Sequence, residues 1–163
     1  IGATVVIAGD GPERAPAMAL AASLGLKNTR FPGALSQADL VAHYHACAVV
    51  AFPSVARSEA FGLTILEAHA CGRPVVATRL GTGVEHANLD GVTGLNVPPG
   101  DDAALAQALN RLLSDGALRE RLGAAARERV RKEFHASRAA RMEYAVCRAV
   151  AEGRFPTDDE LAV

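Results

Sequence analysis

Two carboxylates, Glu59 and Glu67, stand with seven residues between them and a glycine, Gly62, in the interval. The run Phe61-Gly62-Leu63-Thr64-Ile65-Leu66-Glu67-Ala68 reads as a loop entering a helix, which Cys71-Gly72 ends. A helix beginning near Gly62 presents free backbone N–H groups from Gly62 to Thr64 at the positive end of its dipole. Such an end takes a phosphate without a metal ion. Glu67 then lies about one turn inside the helix and Glu59 on the loop before it. Carboxylates repel phosphate, so hydroxyls are their chemical partners. Glu67 can accept from both hydroxyls of a ribose, and Glu59 can hold a sugar hydroxyl or face developing positive charge. A nucleotide joined to a sugar through a diphosphate meets all three features. On spacing alone, the competing reading is an exposed helix residue at Glu67 and a helix-start charge at Glu59.

The surrounding pattern supplies elements that could hold such a site. Thr4 to Ala8 is a short β-branched apolar run, read as a buried strand, and Gly9-Asp10-Gly11-Pro12 turns it into a helix carrying Met18, Leu20 and Leu24 before Gly25. Thr29 to Phe31 reads as a second strand. Ser36 with Asp39 resembles a cap opening a helix through about His45. Ala48 to Phe52 and Pro74 to Thr78 are continuously apolar, as parallel strands covered on both faces are. Asp101 or Asp102 can cap a helix with Leu105, Leu109 and Leu112 at helical spacing, and two more helices are predicted, about Gly116 to Lys132 and Ala136 to Val150. The fold class is therefore α/β, a Rossmann-like three-layer domain with a parallel sheet, spanning 1–150. Residues 151–163 lack periodicity and are expected to form a flexible tail.

Composition narrows the function. The chain has 163 residues, half of them apolar, which suits one domain with a genuine core. Its 17 basic and 18 acidic residues give a net charge of −1, and aromatics are only 4%, so neither a nucleic-acid footprint nor a stacking platform follows. The three cysteines include no CxxC pair. Their odd number favours free thiols and a cytoplasmic setting. His43 and His45 sit two apart on a predicted helix and do not share a face, and His69 and His86 lack a ligand cluster, so no protein-bound metal is expected. Ser54 and Ser58 lack a nucleophile elbow. Arg127, Arg129, Arg131 and Lys132 read as a solvated helix face; attachment to an anionic membrane surface is the weaker reading. No apolar run reaches the roughly 18 residues that a bilayer span needs.

Pro53-Ser54, Ser58-Glu59-Ala60-Phe61-Gly62-Leu63-Thr64-Ile65-Leu66-Glu67-Ala68 and Ala70-Cys71-Gly72-Arg73-Pro74-Val75-Val76-Ala77 together resemble the signature of retaining GT-B glycosyltransferases of family 4. Val6-Ile7-Ala8-Gly9-Asp10-Gly11-Pro12, Phe31-Pro32-Gly33 and Gly91-Val92-Thr93-Gly94-Leu95 extend the likeness over nearly the whole chain. The resemblance implies the C-terminal, donor-binding lobe, with the N-terminal acceptor-binding domain absent. It implies hexosyl transfer from a UDP- or GDP-linked sugar to an acceptor hydroxyl, with retention of anomeric configuration and with neither metal nor cofactor.

By the same resemblance, Glu59 is the catalytic-site carboxylate that contacts the transferred sugar. Phe61, Gly62 and Leu63 offer backbone groups to sugar and phosphate, Thr64 helps hold the diphosphate, and Glu67 binds the ribose. Gly81-Thr82-Gly83-Val84-Glu85 resembles the glycine-rich loop facing the donor; its competing reading is a turn with a capping carboxylate at Glu85. The family's basic pair before Val6 and its histidine from the other lobe have no counterpart here, so the segment alone is expected to be inactive, and Arg57 and Arg79 do not match the pair. In the family the end of the chain crosses back onto the N-terminal lobe, which would leave Tyr144 exposed. The expected location is cytoplasmic, with the inner face of the membrane as the weaker alternative. The alternatives are a nucleotide-sugar epimerase or phosphorylase of GT-B architecture and a non-catalytic nucleotide-sugar-binding module. A dinucleotide dehydrogenase is weaker, because Gly9-Asp10-Gly11-Pro12 lacks the full GxGxxG arrangement.

Overall fold

β-branched Val5, Val6 and Ile7 favour an extended backbone, and they form strand β1 (Val5–Ala8) in the computed structural model, which describes residues 2–161. Contacts divide the chain into two units, one up to Cys47 and one from Ala48 onward. In the first, helix α1 (Arg14–Ser23) connects β1 to β2 (Thr29–Gly33), and the strands pair in parallel, Val5 opposite Thr29 and Val6 opposite Arg30. Helix α2 (Gln37–Ala46) follows, and its cap is the expected one: Ser36 Oγ accepts from the Asp39 N–H at 3.2 Å and donates to the Asp39 carboxylate at 2.6 Å. The expected burial of β1 is corrected. Val5, Val6 and Ile7 are 44–49% exposed, because a two-stranded pair with two helices has too few elements to cover both faces of its sheet.

The second unit contains a three-stranded parallel sheet in the order β3 (Val50–Phe52), β4 (Val75–Thr78), β5 (Gly94–Val97). Helix α3 (Leu63–Ala70) connects β3 to β4, and the short α4 (Val84–Ala87) lies between β4 and β5. β4 and β5 are buried at every position, as their place in a covered parallel sheet requires. Strand β5 escapes a hydropathy reading because Asn96 interrupts it. Asn96 is satisfied inside: Asn88 Nδ2 donates to Asn96 Oδ1 at 2.7 Å and to the Leu95 carbonyl at 3.2 Å, and Asn96 Nδ2 returns a bond to the Asn88 carbonyl at 2.9 Å. Two buried amides thus tie the end of α4 to β5, and of their side-chain polar atoms only Asn88 Oδ1 lacks a hydrogen-bond partner.

Helices α5 (Asp102–Ser114), α6 (Gly116–Glu133) and α7 (Ala136–Ala151) follow close to the expected boundaries. Leu112, Leu118 and Leu122 pack with Val76, Leu95 and Val97, and Leu105 and Leu109 close the edge of this core. Asp101 is the residue that caps α5, accepting from the Ala104 N–H at 2.8 Å. The segment after Ala151 contains a short helix, α8 (Asp158–Leu161), where Glu160 accepts from Arg148 at 2.6 Å and from both terminal nitrogens of Arg154 at 2.8 Å; residues 162–163 of the expected tail lie outside the described residues. These three guanidinium contacts, with the Thr157 N–H, hold its carboxyl well below the usual range. Among the described residues, no helix is long and apolar enough to cross a membrane.

Asp115 closes α5 and caps α6, its Oδ1 accepting from the Leu118 N–H at 2.9 Å. Asp115→Ala is expected to lower stability by about 1 kcal/mol. The readout is a lower urea midpoint with an unchanged slope; an unmoved midpoint would show that the cap contributes nothing.

Candidate functional site

The loops that leave β3 and β4 emerge side by side, since these strands are parallel neighbours, and the space beyond their carboxyl ends is where open α/β sheets bind ligands. Thr78 Oγ1, at the end of β4, donates to the Ser54 carbonyl on the loop after β3. Arg57 on that first loop donates to the Gly81 carbonyl on the second at 3.3 Å, and the Gly83 N–H donates to the Ala60 carbonyl at 2.8 Å. Two loops thereby become one surface carrying Glu59, Phe61, Gly62, Leu63, Thr64, Gly81 and Glu85. Glu67 lies just over one turn into α3 and is exposed.

The helix start differs in one respect from the expected row of free amides. Glu59 Oε1 accepts from the Gly62 N–H at 3.0 Å and from the Phe61 N–H at 3.4 Å, so the Gly62 amide is already occupied. The Ile65 N–H donates to the Gly62 carbonyl at 2.9 Å. The helical amides left pointing out of the first turn are those of Leu63 and Thr64, and both residues are exposed. The free amides therefore begin one residue further along than a count from Gly62 suggests, because a carboxylate three residues back folds onto the turn as an N-terminal capping group.

Gly62 itself adopts φ +82°, in the left-handed region, and lets the chain turn sharply into α3. A Cβ here would stand 2.9 Å from Ile65 Cδ1 and 3.2 Å from Phe52 Cζ. Backbone strain plus crowding makes Gly62→Ala cost about 2 kcal/mol. Chemical denaturation should show that loss; a variant as stable as the parent would show that the turn does not need glycine.

The second loop is also capped by an acid. Glu85 accepts from the Gly81 N–H at 2.7 Å and from the Thr82 N–H at 3.3 Å. Burial pushes its carboxyl up, but these backbone donors outweigh that and, with the nearby Arg79 charge, hold it below the ordinary range. Glu85 therefore shapes the glycine turn, and Gly81 presents backbone rather than a side chain. Arg79 pairs with Asp90 at 2.8 Å. Among the described residues, no group of three or more His, Cys, Asp or Glu side chains is placed to hold a metal ion.

Three residues that the sequence reading left outside the site stand directly behind it. Phe61 packs against His86, with centroids 6.2 Å apart, and edge-on to Phe134 at 6.0 Å. Arg129 lies over Phe134 at 4.9 Å and donates to the His86 and Ala87 carbonyls at 2.7 and 3.1 Å. The reading of this helix as a uniformly solvated basic face is corrected for Arg129, whose side chain is 9% exposed. Arg131 and Lys132 do face solvent, where they pair with Glu128 and bring its carboxyl down to about 2. The signal for Arg129 was available: Leu118, Leu122, Ala126 and Arg129 recur at spacings of four, four and three, which puts them on one buried stripe.

Comparison with known proteins gives this geometry its relatives. The sequence profile of glycosyl transferases group 1 matches residues 2–129. D-rhamnosyltransferase WbpZ of Pseudomonas aeruginosa is 42% identical over 132 residues, which are 81% of this chain but 35% of that protein. The chain thus spans about a third of the length of this relative. The Anabaena protein HepE, solved in complex with UDP-glucose, is 30% identical with a TM-score of 0.73, covering 80% of this chain and 36% of that one. The C-terminal domain of LpcC, a glycosyl transferase group 1 family protein of Francisella tularensis, is 26% identical with a TM-score of 0.72, covering 82% of this chain and 70% of the solved one. With its parallel strands, its helix start between two glutamates and these relatives, the chain belongs to the glycosyl transferases group 1 and has the fold of the C-terminal lobe of a GT-B glycosyltransferase.

Proposed function

We propose that this chain is the donor-binding module of a retaining glycosyltransferase that moves a hexose-type sugar from a UDP- or GDP-linked donor to an acceptor hydroxyl. The observation that carries the reading is the α3 start: the outward Leu63 and Thr64 amides follow a turn held by Glu59, and Glu67 lies just beyond. The HepE complex supports it, since the likeness to a protein solved with UDP-glucose covers most of the chain. The diphosphate sits against the Leu63 and Thr64 amides, with the Thr64 hydroxyl beside them, and Glu67 accepts from the ribose hydroxyls. Glu59, fixed on the Phe61 and Gly62 amides, keeps its remaining acceptor capacity for a hydroxyl of the transferred sugar.

In the reaction, the bond between the anomeric carbon and the diphosphate oxygen lengthens, negative charge grows on the leaving group and positive charge on the sugar. The α3 amides face the first and the Glu59 carboxylate the second, and both are fixed before the charge develops. A separate N-terminal domain of the same protein supplies the acceptor site. The open form of the loop surface fits that division, because a second wall is needed to exclude water. We place the reaction in the cytoplasm, and no metal ion takes part in holding the donor.

Calorimetric titration in EDTA tests the donor site, with UDP, GDP and their hexose conjugates as ligands. Binding of one nucleotide and its conjugate, unchanged by added Mg2+, is the expected result. Binding only with Mg2+, or of neither nucleotide to the folded chain, overturns the reading.

A further inference from the structure

Phe61 meets the second loop on one side, and its ring packs against two others, His86 and Phe134, from more distant sequence. In front, the Ala60 carbonyl takes the Gly83 N–H, and a Cβ on Gly83 would lie 2.7 Å from both that oxygen and Phe61 Cδ2, so the two loops are in direct contact. Behind, Phe61, His86 and Phe134 form a closed set of three rings with centroid separations of 6.2, 6.0 and 5.7 Å, the two pairs that include Phe134 being edge-on. Such geometry contributes beyond the area it buries and is specific to rings. Arg129 fixes the third ring. Its guanidinium covers the Phe134 face, donates to the last carbonyls of α4 and pairs with Glu133 at 2.9 Å.

We infer that Phe134 and Arg129 are positioning residues for the donor site: they set the Phe61 ring, and through it the Phe61 and Gly62 amides that hold Glu59. The inference rests on the donor-site reading for its functional consequence and on geometry alone for the coupling itself. Phe134 caps the carboxyl end of α6, and the next residue, His135, caps the start of α7. The last turn of α6 and the donor loop therefore form one packed body, and a shift at the α6–α7 junction moves the carboxylate that faces the sugar. Neither residue reaches the ligand. Their effect is on the orientation of Glu59 and of the amides beside it, the kind of support on which a preorganised site depends.

The test combines hydrogen exchange with donor titration on this chain for Phe134→Ala, Phe134→Leu, Phe134→Tyr and Arg129→Lys. Phe134→Ala is expected to raise exchange at the Phe61 and Gly62 amides at least tenfold while leaving the β4 and β5 amides protected, and to weaken binding of the nucleotide sugar about tenfold. Phe134→Tyr should restore both and Phe134→Leu neither, because a leucine keeps the apolar volume but supplies no ring edge or face. Arg129→Lys, a milder change, should show the same local pattern at smaller size even if Phe134→Ala unfolds. Unchanged exchange at Phe61 and Gly62 in both Phe134→Leu and Arg129→Lys overturns the coupling, and so does full rescue by leucine. If the parent chain binds no nucleotide, the donor-site reading fails, while the exchange comparison still decides the coupling.

Discussion

Glu67→Ala is expected to weaken binding of the matched nucleoside diphosphate about a hundredfold while leaving the fold intact. One carboxylate accepting from two vicinal hydroxyls makes two hydrogen bonds to a charged group, each of about 1.5–3 kcal/mol, and part of that is recovered by water in the empty site. A net loss of about 2.7 kcal/mol corresponds to two decades in Kd. Glu67 is exposed on α3, so alanine creates no cavity and favours the helix, and stability should move by no more than about 0.5 kcal/mol. Glu67→Gln keeps one carbonyl acceptor without the charge and should fall between, about tenfold. The deoxyribose analogue lacking one of the two hydroxyls gives the complementary check: its penalty should vanish in Glu67→Ala. Equal affinity of parent and Glu67→Ala for the nucleotide would show that the ribose lies elsewhere.

Acid should destabilise the second unit through a single buried histidine. His69 is 1% exposed on α3, and its Nε2 makes no hydrogen bond of good geometry; the Asn88 Oδ1 is likewise unpaired. Burial lowers its pKa to about 4, and the Arg129 charge adds to this, against an opposing contribution from the Asn88 side chain. The unfolded chain, with its histidine near 6.5, binds the proton first. Stability from the neutral ring is thus fully present above about pH 6.5 and declines as pH falls toward 4, by about 3 kcal/mol in total. The depressed carboxylates of Glu85, Glu128 and Glu160 act in the same direction but in a lower window, as pH falls below their ordinary values near 4.5. Urea unfolding from pH 7 to pH 4 should therefore show a loss already well advanced at pH 5, and His69→Gln should remove that early part. A parent chain whose stability is flat between pH 7 and pH 5 would contradict the buried neutral ring.

Local signals in the sequence were read correctly where one residue type dictates one geometry. Ser36 three residues before Asp39, Asp101 before an apolar helix, and Gly62 ahead of Leu63 each carry their own backbone instruction, and each stands at the helix start expected of it. What remained hidden depends on partners far along the chain. Asn96 breaks an apolar strand pattern, and only its pairing with Asn88 makes it a core residue. Arg129 falls on the buried Leu118, Leu122, Ala126 stripe but sits in a run of charges that masks it, and the carbonyl end of α4 and the ring of Phe134 are what accommodate its charge there. Spacing left Glu59 between a ligand contact and a helix-start charge, since a folded-back carboxylate and one reaching for a ligand look alike in sequence, and the fold gives it the helix-start contact, with Oε1 accepting from the Phe61 and Gly62 amides. The apolar β1 illustrates the converse: composition predicts burial, and the size of the sheet in its own unit leaves it exposed.

The most direct test of the donor site is an amide NMR titration of this chain with UDP and with GDP in the presence of EDTA. The account predicts that the largest shifts fall on Leu63 and Thr64, with smaller ones at Phe61, Gly62 and the Gly81–Glu85 turn, and that Glu67→Ala suppresses them at the same ligand concentration. Shifts centred instead on the apolar cavity of about 420 Å3 along α7, lined by Tyr144, Ala145 and Arg148, or no shift at saturating nucleotide, would contradict it.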